Sequence, residues 1–558
     1  MTQTPAPDST GPAAGSKKEI RVNAFAMATP VHHSPGLWRH PEDRSLDYTT
    51  LGYWTDLART LEDGGFDALF VADSMASNDV YGGSYHAALK VGAQIPKLDP
   101  IVAVSAMARV TRHLGFGITS NALYEPPYPF ARRMSTLDHL TKGRIGWNIV
   151  TGHTSSGSRA VGEKALTPHD ARYDIADEYL DAVYALWEGS WDDDAAVRDR
   201  ANRVFADPAK VRPIVHRGQH FQVEGIHLSE PSPQRTPVLF QAGASTRGRA
   251  FAARHAECIF VSGPTPNVIA PVVADTRARA AALGRDPKEI LFFSMATTIV
   301  GATEEEAREK LESYRRFLNP EAALILFSGW TGIDFSKHDL DAPIRFDDRS
   351  QGLVSALEAF SIADPNRVWT VRELAEHNAI GGRGPVFIGS AAQVADQIEA
   401  WVEATDVDGL NLSYAVTPGG YADFGALVVP ELRRRGRCCA SSPGLSGRMP
   451  AASLSAVRRC RGRALIAAWC SRTIRSFPGS QQARTSSSPW SRPSRTAAGG
   501  TTWRTHARSS AASTWKAPST SCPRNCPAAC ASAWPSPAPS PPIRPCCSWT
   551  SRSARWTR

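Results

Sequence analysis

FARRMSTLDHLTKGRIGWNIVTGH, residues 130–153, carries a helix, a turn, a strand and a polar strand end in one short run. Phe130, Met134 and Leu137 recur at helical spacing, with Arg132, Arg133 and Thr136 between them, so Phe130–Leu140 reads as an amphipathic helix. Thr141-Lys142-Gly143 breaks that period, and Arg144–Val150 follows as a short run rich in Ile, Val and Trp. A run apolar on both faces suits a strand buried between layers, as in a parallel sheet. Thr151, Gly152 and His153 then close it with polar groups.

The same unit recurs on either side. Strand candidates are Arg21–Met27, Asp67–Ala72, Leu114–Thr119, Arg144–Val150, Pro237–Gln241, Cys258–Val261, Ile290–Val300 and Gly409–Val416. Helical patterns lie between them, at Tyr53–Glu62, Pro100–Val110, Phe130–Leu140, Ile175–Trp187, Arg247–His255 and Asn267–Ala282. Eight strands alternating with helices predict an α/β fold, a (β/α)8 TIM barrel. A doubly wound open sheet is the runner-up, disfavoured because no Gly-x-Gly-x-x-Gly follows the first strand. Segments 188–236 and 316–384 are too long for simple connections and are expected to be insertions forming lids over the barrel mouth.

Composition divides the chain. It has 558 residues and a formal net charge of +9, yet residues 437–558 contain no Asp or Glu, 18 Arg, a single Lys (Lys516) and nine of the ten Cys. Residues 1–436 therefore hold 44 basic and 54 acidic side chains, and the overall basicity gives no argument for nucleic-acid binding. The cysteines of 437–558 follow no zinc spacing, and His506 is the only histidine there. A G+C-rich gene read out of frame explains Arg, Ala, Pro, Ser, Cys and Trp without acids. Shifted by one nucleotide, this text can be written to resemble an ABC-transporter ATPase, with its signature, Walker B and following loop. Residues 437–558 are thus expected to be a frameshifted, unstructured tail.

Residues 1–19 are rich in Pro, Ser and Thr, lack the apolar segment of a secretory signal, and read as a disordered leader. No run of eighteen apolar residues occurs, so no membrane span is expected. Cys258 is the only cysteine before residue 437, which suggests a reducing cytoplasm.

In a barrel, chemistry belongs where strands end. Asp73 closes the second strand, Thr119 and Ser120 the third, Asn148, Thr151 and His153 the fourth, and Gly243–Ser245 the fifth. Gln241-Ala-Gly-Ala-Ser-Thr-Arg-Gly-Arg249 runs from strand through a Gly turn to a helix capped by Ser245. Helix amides, the hydroxyl and the cations Arg247 and Arg249 together read as a phosphate site, against the plainer reading of an ordinary cap. His169 and Tyr173 stand one turn apart on a helix and rise, with His153, above the other histidines (His32, His33 and His40 among them). No HExxH or comparable cluster predicts a metal, and no Gly-x-Ser-x-Gly elbow predicts a covalent nucleophile.

NAFAM (23–27), GLWRHP (36–41), FDALFVAD (66–73), QIPKLDP (94–100), ARRMSTLDHLTKGRIGWNIVT (131–151), HDARYDIADEYLDAVYALWEGSW (169–191) and EPSPQRTPVLFQAGAS (230–245) closely resemble the nitrilotriacetate monooxygenase family. This branch of the bacterial-luciferase-like flavoproteins also includes long-chain alkane and dibenzothiophene-sulfone monooxygenases, and the resemblance covers residues 20–436. It implies a TIM barrel holding FMN at its C-terminal mouth. The implied enzyme is the large component of a two-component system, fed FMNH2 by a separate NAD(P)H:flavin reductase. It would insert one atom of O2 into a small organic substrate through a peroxyflavin. The resemblance places Asp73, Thr119, His153, His169, Tyr173 and Ser245 around the flavin, with Ser245 near its phosphate and His153 beside the reacting face. It also implies a homo-oligomer, a dimer or a tetramer.

Two positions depart from the alkane branch: Thr29 stands where that branch has a cysteine, and Asn78 where it has a tyrosine. Alkane hydroxylation is therefore not carried over, and the apparent transporter remnant leans the substrate toward organosulfur compounds. The alternatives are a deazaflavin-dependent dehydrogenase on the same fold and a flavin-binding protein without turnover.

Overall fold

The structure is a computed structural model and describes residues 18–346 and 352–437. Eleven strands are present among them: β1 (Arg21–Met27), β2 (Ala68–Ala72), β3 (Gly115–Asn121), β4 (Ile145–Val150), β5 (Ile214–Arg217), β6 (Gln222–Gly225), β7 (Val238–Gln241), β8 (Cys258–Val261), β9 (Leu291–Gly301), β10 (Val386–Ser390) and β11 (Gly409–Ser413). The order β9-β11-β1-β2-β3-β4-β7-β8 closes back onto β9, and every pairing in it is parallel. This is a closed eight-stranded barrel with surrounding helices, and its strands are the eight that the sequence predicts. Their apolar residues are buried on both faces because helices cover the outside and side chains fill the inside.

The interior plug below the mouth consists of Phe25, Phe70, Phe240, Phe260, Phe293 and Met295. Its rings meet at centroid distances such as 5.5 Å for Phe25–Phe70 and 5.4 Å for Phe70–Phe240. Burial of several such rings contributes about 2 kcal/mol apiece and leaves the mouth with a dry floor.

The helix containing Phe130 runs Pro127–Thr141, and that containing Ile175 starts earlier than its apolar period, at His169. The long segment 316–384 rises over the mouth, where Gly329 and Thr331 of the helix Pro320–Thr331 come close to the β4 loop. Segment 188–236 does not. It joins the end of a helix to the start of β7, so it lies at the opposite, N-terminal rim, and the expectation of a second lid is corrected. Its antiparallel hairpin, β5 with β6, is held by Glu178, whose carboxylate accepts from the amides of Gln219, His220 and Phe221.

The described chain is tied at both ends. Lys18, within the expected leader, pairs with Asp406 and Asp408, and the Ile20 amide donates to the Arg437 carbonyl at 2.6 Å. Arg437 itself pairs with Glu399 and Glu403. The leader up to residue 17 and the tail from residue 438 lie outside the described residues. No helix among the described residues is long and apolar enough to cross a membrane.

Candidate active site

Strand register brings the predicted residues together at one end of the barrel. Thr119 of β3 stands opposite Asn148 of β4, and Ile149 of β4 opposite Gln241 of β7. The Thr119 hydroxyl donates to the Val71 carbonyl at 2.8 Å and accepts from Asn148 Nδ2 at 2.9 Å, which fixes the Asn148 amide. Asn148 Oδ1 and Gln241 Oε1 are both buried with no hydrogen-bond partner among the described residues. Two acceptors left open on adjacent strands are costly unless something with N–H groups lies over them.

Next to Gln241 the chain turns tightly. A Cβ at Gly243 would stand 2.5 Å from the Tyr173 hydroxyl, and one at Gly248 would stand 2.9 Å from it, so glycine at both positions lets the turn pack against that ring. Ser245 caps the helix Thr246–His255, its Oγ accepting from the Gly248 amide at 3.1 Å and lying 3.3 Å from His169 Nε2. His169 and Tyr173 meet edge to face at 5.3 Å, and burial pushes the Tyr173 phenol up. Ser245, His169 and Tyr173 therefore form one cluster. Arg247 and Arg249 do not join it as open cations: Arg247 pairs with Asp174 and Asp177, and Arg249 with Asp275. What an anion would meet here is the hydroxyl and the helix N-terminus.

His153 follows β4 across Gly152, whose φ of +74° suits only glycine and whose Cβ would strike the Tyr124 hydroxyl at 2.6 Å. Thr154 then caps the helix Ser155–Ala160. Burial, followed by the nearby cations Arg172, Lys97 and Arg383, pushes the imidazole down to about 4, so it is neutral at working pH. Asp73 follows β2 directly and is pushed up to about 6, mainly by burial, with Lys97 opposing. Lys97 is itself pushed down to about 8 by burial and donates to Ser74 Oγ and the Ala76 carbonyl, both at 3.1 Å.

A cavity of about 230 Å³ opens beside His153, lined also by Asn78, Thr154, Ser156, Leu166, Gly329 and Thr331. Asn78, one of the two departures noted above, reaches it, with its Nδ2 donating to the Ala93 carbonyl at 2.8 Å. Thr29, the other, is buried and donates to the Pro96 carbonyl at 2.8 Å. Lys97, Arg172 and Arg383 are charged members of the mouth that the sequence does not single out. Lys97 and Arg383 sit in irregular loops, and Arg172 hides between His169 and Tyr173. A lysine between two prolines of QIPKLDP, with Asp99 close by, was the signal available for the first.

The open acceptors of Asn148 and Gln241, the glycine-lined turn and the capped helix N-terminus fit a flat polar ring bearing a phosphate. No group of three or more His, Cys, Asp or Glu among the described residues is arranged to hold a metal ion.

The profile described as luciferase-like monooxygenase matches residues 25–408. The dimethyl-sulfide monooxygenase of Hyphomicrobium sulfonivorans is 48% identical over 75% of this chain and 88% of its own length. The long-chain alkane monooxygenase of Geobacillus thermodenitrificans is 46% identical, over 75% and 91%. Nitrilotriacetate monooxygenase component A of Aminobacter aminovorans stands further off, at 32% over 76% and 94%. The crystal structure of a riboflavin lyase with modified FMN and riboflavin superposes with a TM-score of 0.70 at 38% identity, covering 76% of this chain and 93% of that one.

Proposed function

Because the chain belongs to the luciferase-like monooxygenase family, we propose that it is the oxygenating component of a two-component system using FMNH2 and O2 on a small organosulfur substrate. What carries this reading is the grouping of Thr119 with Asn148 and of Tyr173 with Ser245 at strand ends of one barrel mouth, together with His153, which lines a cavity of about 230 Å³. When bound, reduced FMN supplies the electrons that activate oxygen. Every other task falls to the protein.

Ser245, His169 and the first amides of the helix Thr246–His255 hold the phosphate. Asn148 and Gln241, whose side-chain oxygens are otherwise unsatisfied, would accept from N–H groups of the bound ring. Neutral His153, enclosed beside the cavity, accepts a proton or offers a hydrogen bond next to the reacting face without adding charge. Asp73 and Lys97 brace the β2 loop that borders the same mouth. The segment over the cavity excludes water while the substrate is oxidised.

The lean toward sulfur rests on the dimethyl-sulfide monooxygenase among the relatives and on the volume of the cavity, which suits a small molecule. The reading includes membership of the branch containing nitrilotriacetate monooxygenase, transient partnership with an NAD(P)H:flavin reductase, a homo-oligomer and a cytoplasmic location. It also includes the frameshifted origin of the tail, which DNA sequencing across codon 436 tests. Function is tested by giving the purified protein FMN, NADH, a flavin reductase, dimethyl sulfide and 18O2. One 18O atom in an organic product is the expected result. Oxygen uptake that ends wholly in hydrogen peroxide, unchanged across a panel of sulfides, would overturn the proposal.

A further inference from the structure

The β1 loop and the segment over the mouth meet at a group of side chains that the reading above does not use. Arg383 lies in Gly381-Gly-Arg-Gly384, which passes along the middle of β9 at Met295 and Thr297. A Cβ at Gly382 would stand 2.5 Å from His33 Nδ1 and 2.7 Å from Met295 Cε, and one at Gly384 would stand 2.4 Å from the Met295 carbonyl. The Arg383 guanidinium is 5.2 Å from the centre of the Trp330 ring, and Trp330 is 5.5 Å from the His33 ring. Gly329 and Thr331, on either side of Trp330, line the cavity with His153.

Two polar atoms of this group have nothing to bond. Arg383 Nε and His33 Nδ1 are both buried without a hydrogen-bond partner, and no carboxylate among the described residues pairs with Arg383. His33 is 5% exposed. Burial alone pushes the guanidinium down to about 10, with no acid raising it, and its charge is felt at both His33 and His153. Other arginines around the barrel find acceptors, as Arg247, Arg277 and Arg435 do in aspartates or glutamates and Arg144 does in backbone carbonyls. A guanidinium with a buried Nε and no counter-ion is expensive, and a planar fork of donors sharing the Trp330 wall with an open imidazole nitrogen suits a two-oxygen or oxygen-and-nitrogen anion.

We propose that Arg383 and His33, walled by Trp330, form an anion-binding subsite in the mouth, filled by a delocalised anion of a bound ligand. That chemistry has two sources: a carboxylate or sulfonate carried by the organic substrate, or the anionic ring edge of the reduced cofactor. The inference rests on the proposed function only for the second source.

Binding equilibria, measured without turnover, separate the sources. For the substrate arm, (methylthio)acetate is compared with dimethyl sulfide, two thioethers differing by a carboxylate. For the cofactor arm, FMNH2 is compared anaerobically with oxidised FMN, both carrying the same phosphate. The wild type is expected to favour the anionic member of at least one pair by about tenfold or more. Arg383→Gln is expected to erase that preference, Arg383→Lys to keep part of it, and His33→Asn to reduce it. Wild-type protein showing no preference in either pair overturns the subsite, whatever the variants do. So does a preference that survives Arg383→Gln. Failure of the wild type to bind FMN in either state would sink the proposed function instead, leaving the (methylthio)acetate comparison to decide the subsite.

Discussion

Asp73, Lys97 and His153 are each pushed toward their neutral forms by enclosure in the same mouth, and each change of charge has a pH window of its own. Folded Asp73 keeps its proton up to about pH 6, whereas an unfolded chain loses it near 4. Its contribution therefore makes stability fall as pH rises from 4 to 6. Lys97 runs the other way: its folded value of about 8 lies below the unfolded one, so stability gains from it as pH rises from 8 to about 10.5. Melting temperatures across these ranges should show a decline that Asp73→Asn flattens and a rise that Lys97→Met flattens. At His153, truncation to Ala should lower turnover about a hundredfold or more while FMN affinity stays within about threefold, as steady-state kinetics and fluorescence titration would show. Because the imidazole is neutral down to about pH 4, wild-type turnover should carry no inflection near 6.5 from this group.

Among the elements, the turn from β7 into the helix Thr246–His255 bears the clearest load. Gly243→Ala would drive a methyl against the Tyr173 hydroxyl and the Gln241 amide, and should weaken FMN binding about tenfold with little change in circular dichroism. Ser245→Ala removes the cap on the Gly248 amide, and should cost about 1 kcal/mol of stability as well as affinity. This element was legible beforehand, because strand, glycine turn and capping serine are local signals. So were all eight barrel strands, each an apolar run bounded by breakers. β10 was not: Val386–Ser390 is short and flanked by Gly and Pro, and it pairs only because β9 runs on beyond the barrel. The direction of Arg247 and Arg249 was equally hidden, since Asp174, Asp177 and Asp275 reach them from other helices. Lys97, Arg383 and His33 belong to loops, where no period tells which side chains turn inward.

For the whole molecule, the ties at the two ends set where the folded unit needs its chain. A protein ending at Arg437 should melt within a few degrees of the full chain and keep its activity. Ending it at Arg434 removes Arg435 and Arg437 from Asp396, Glu399 and Glu403, along with the carbonyl that receives the Ile20 amide, and should lower the melting temperature clearly. Calorimetry on the two truncations would check this. β9 has a different consequence at this scale. Its first part, to Thr297, closes the barrel against β8 and β11, and its last part, Thr297–Gly301, is zipped to β10. The chain thus leaves the barrel at Gly301 and returns at Val386 through neighbouring, hydrogen-bonded strands. Because the two strands run parallel, with Val386 beside Thr297 and Ser390 beside Gly301, the stretch between them is a crossover anchored to one edge of the barrel, and its outer helices Pro320–Thr331 and Val371–Asn378 can be exchanged as a cassette while β9 still closes the barrel with β8 and β11. Grafting that stretch from a relative with another substrate is a route by which one catalytic floor could be given a new appetite.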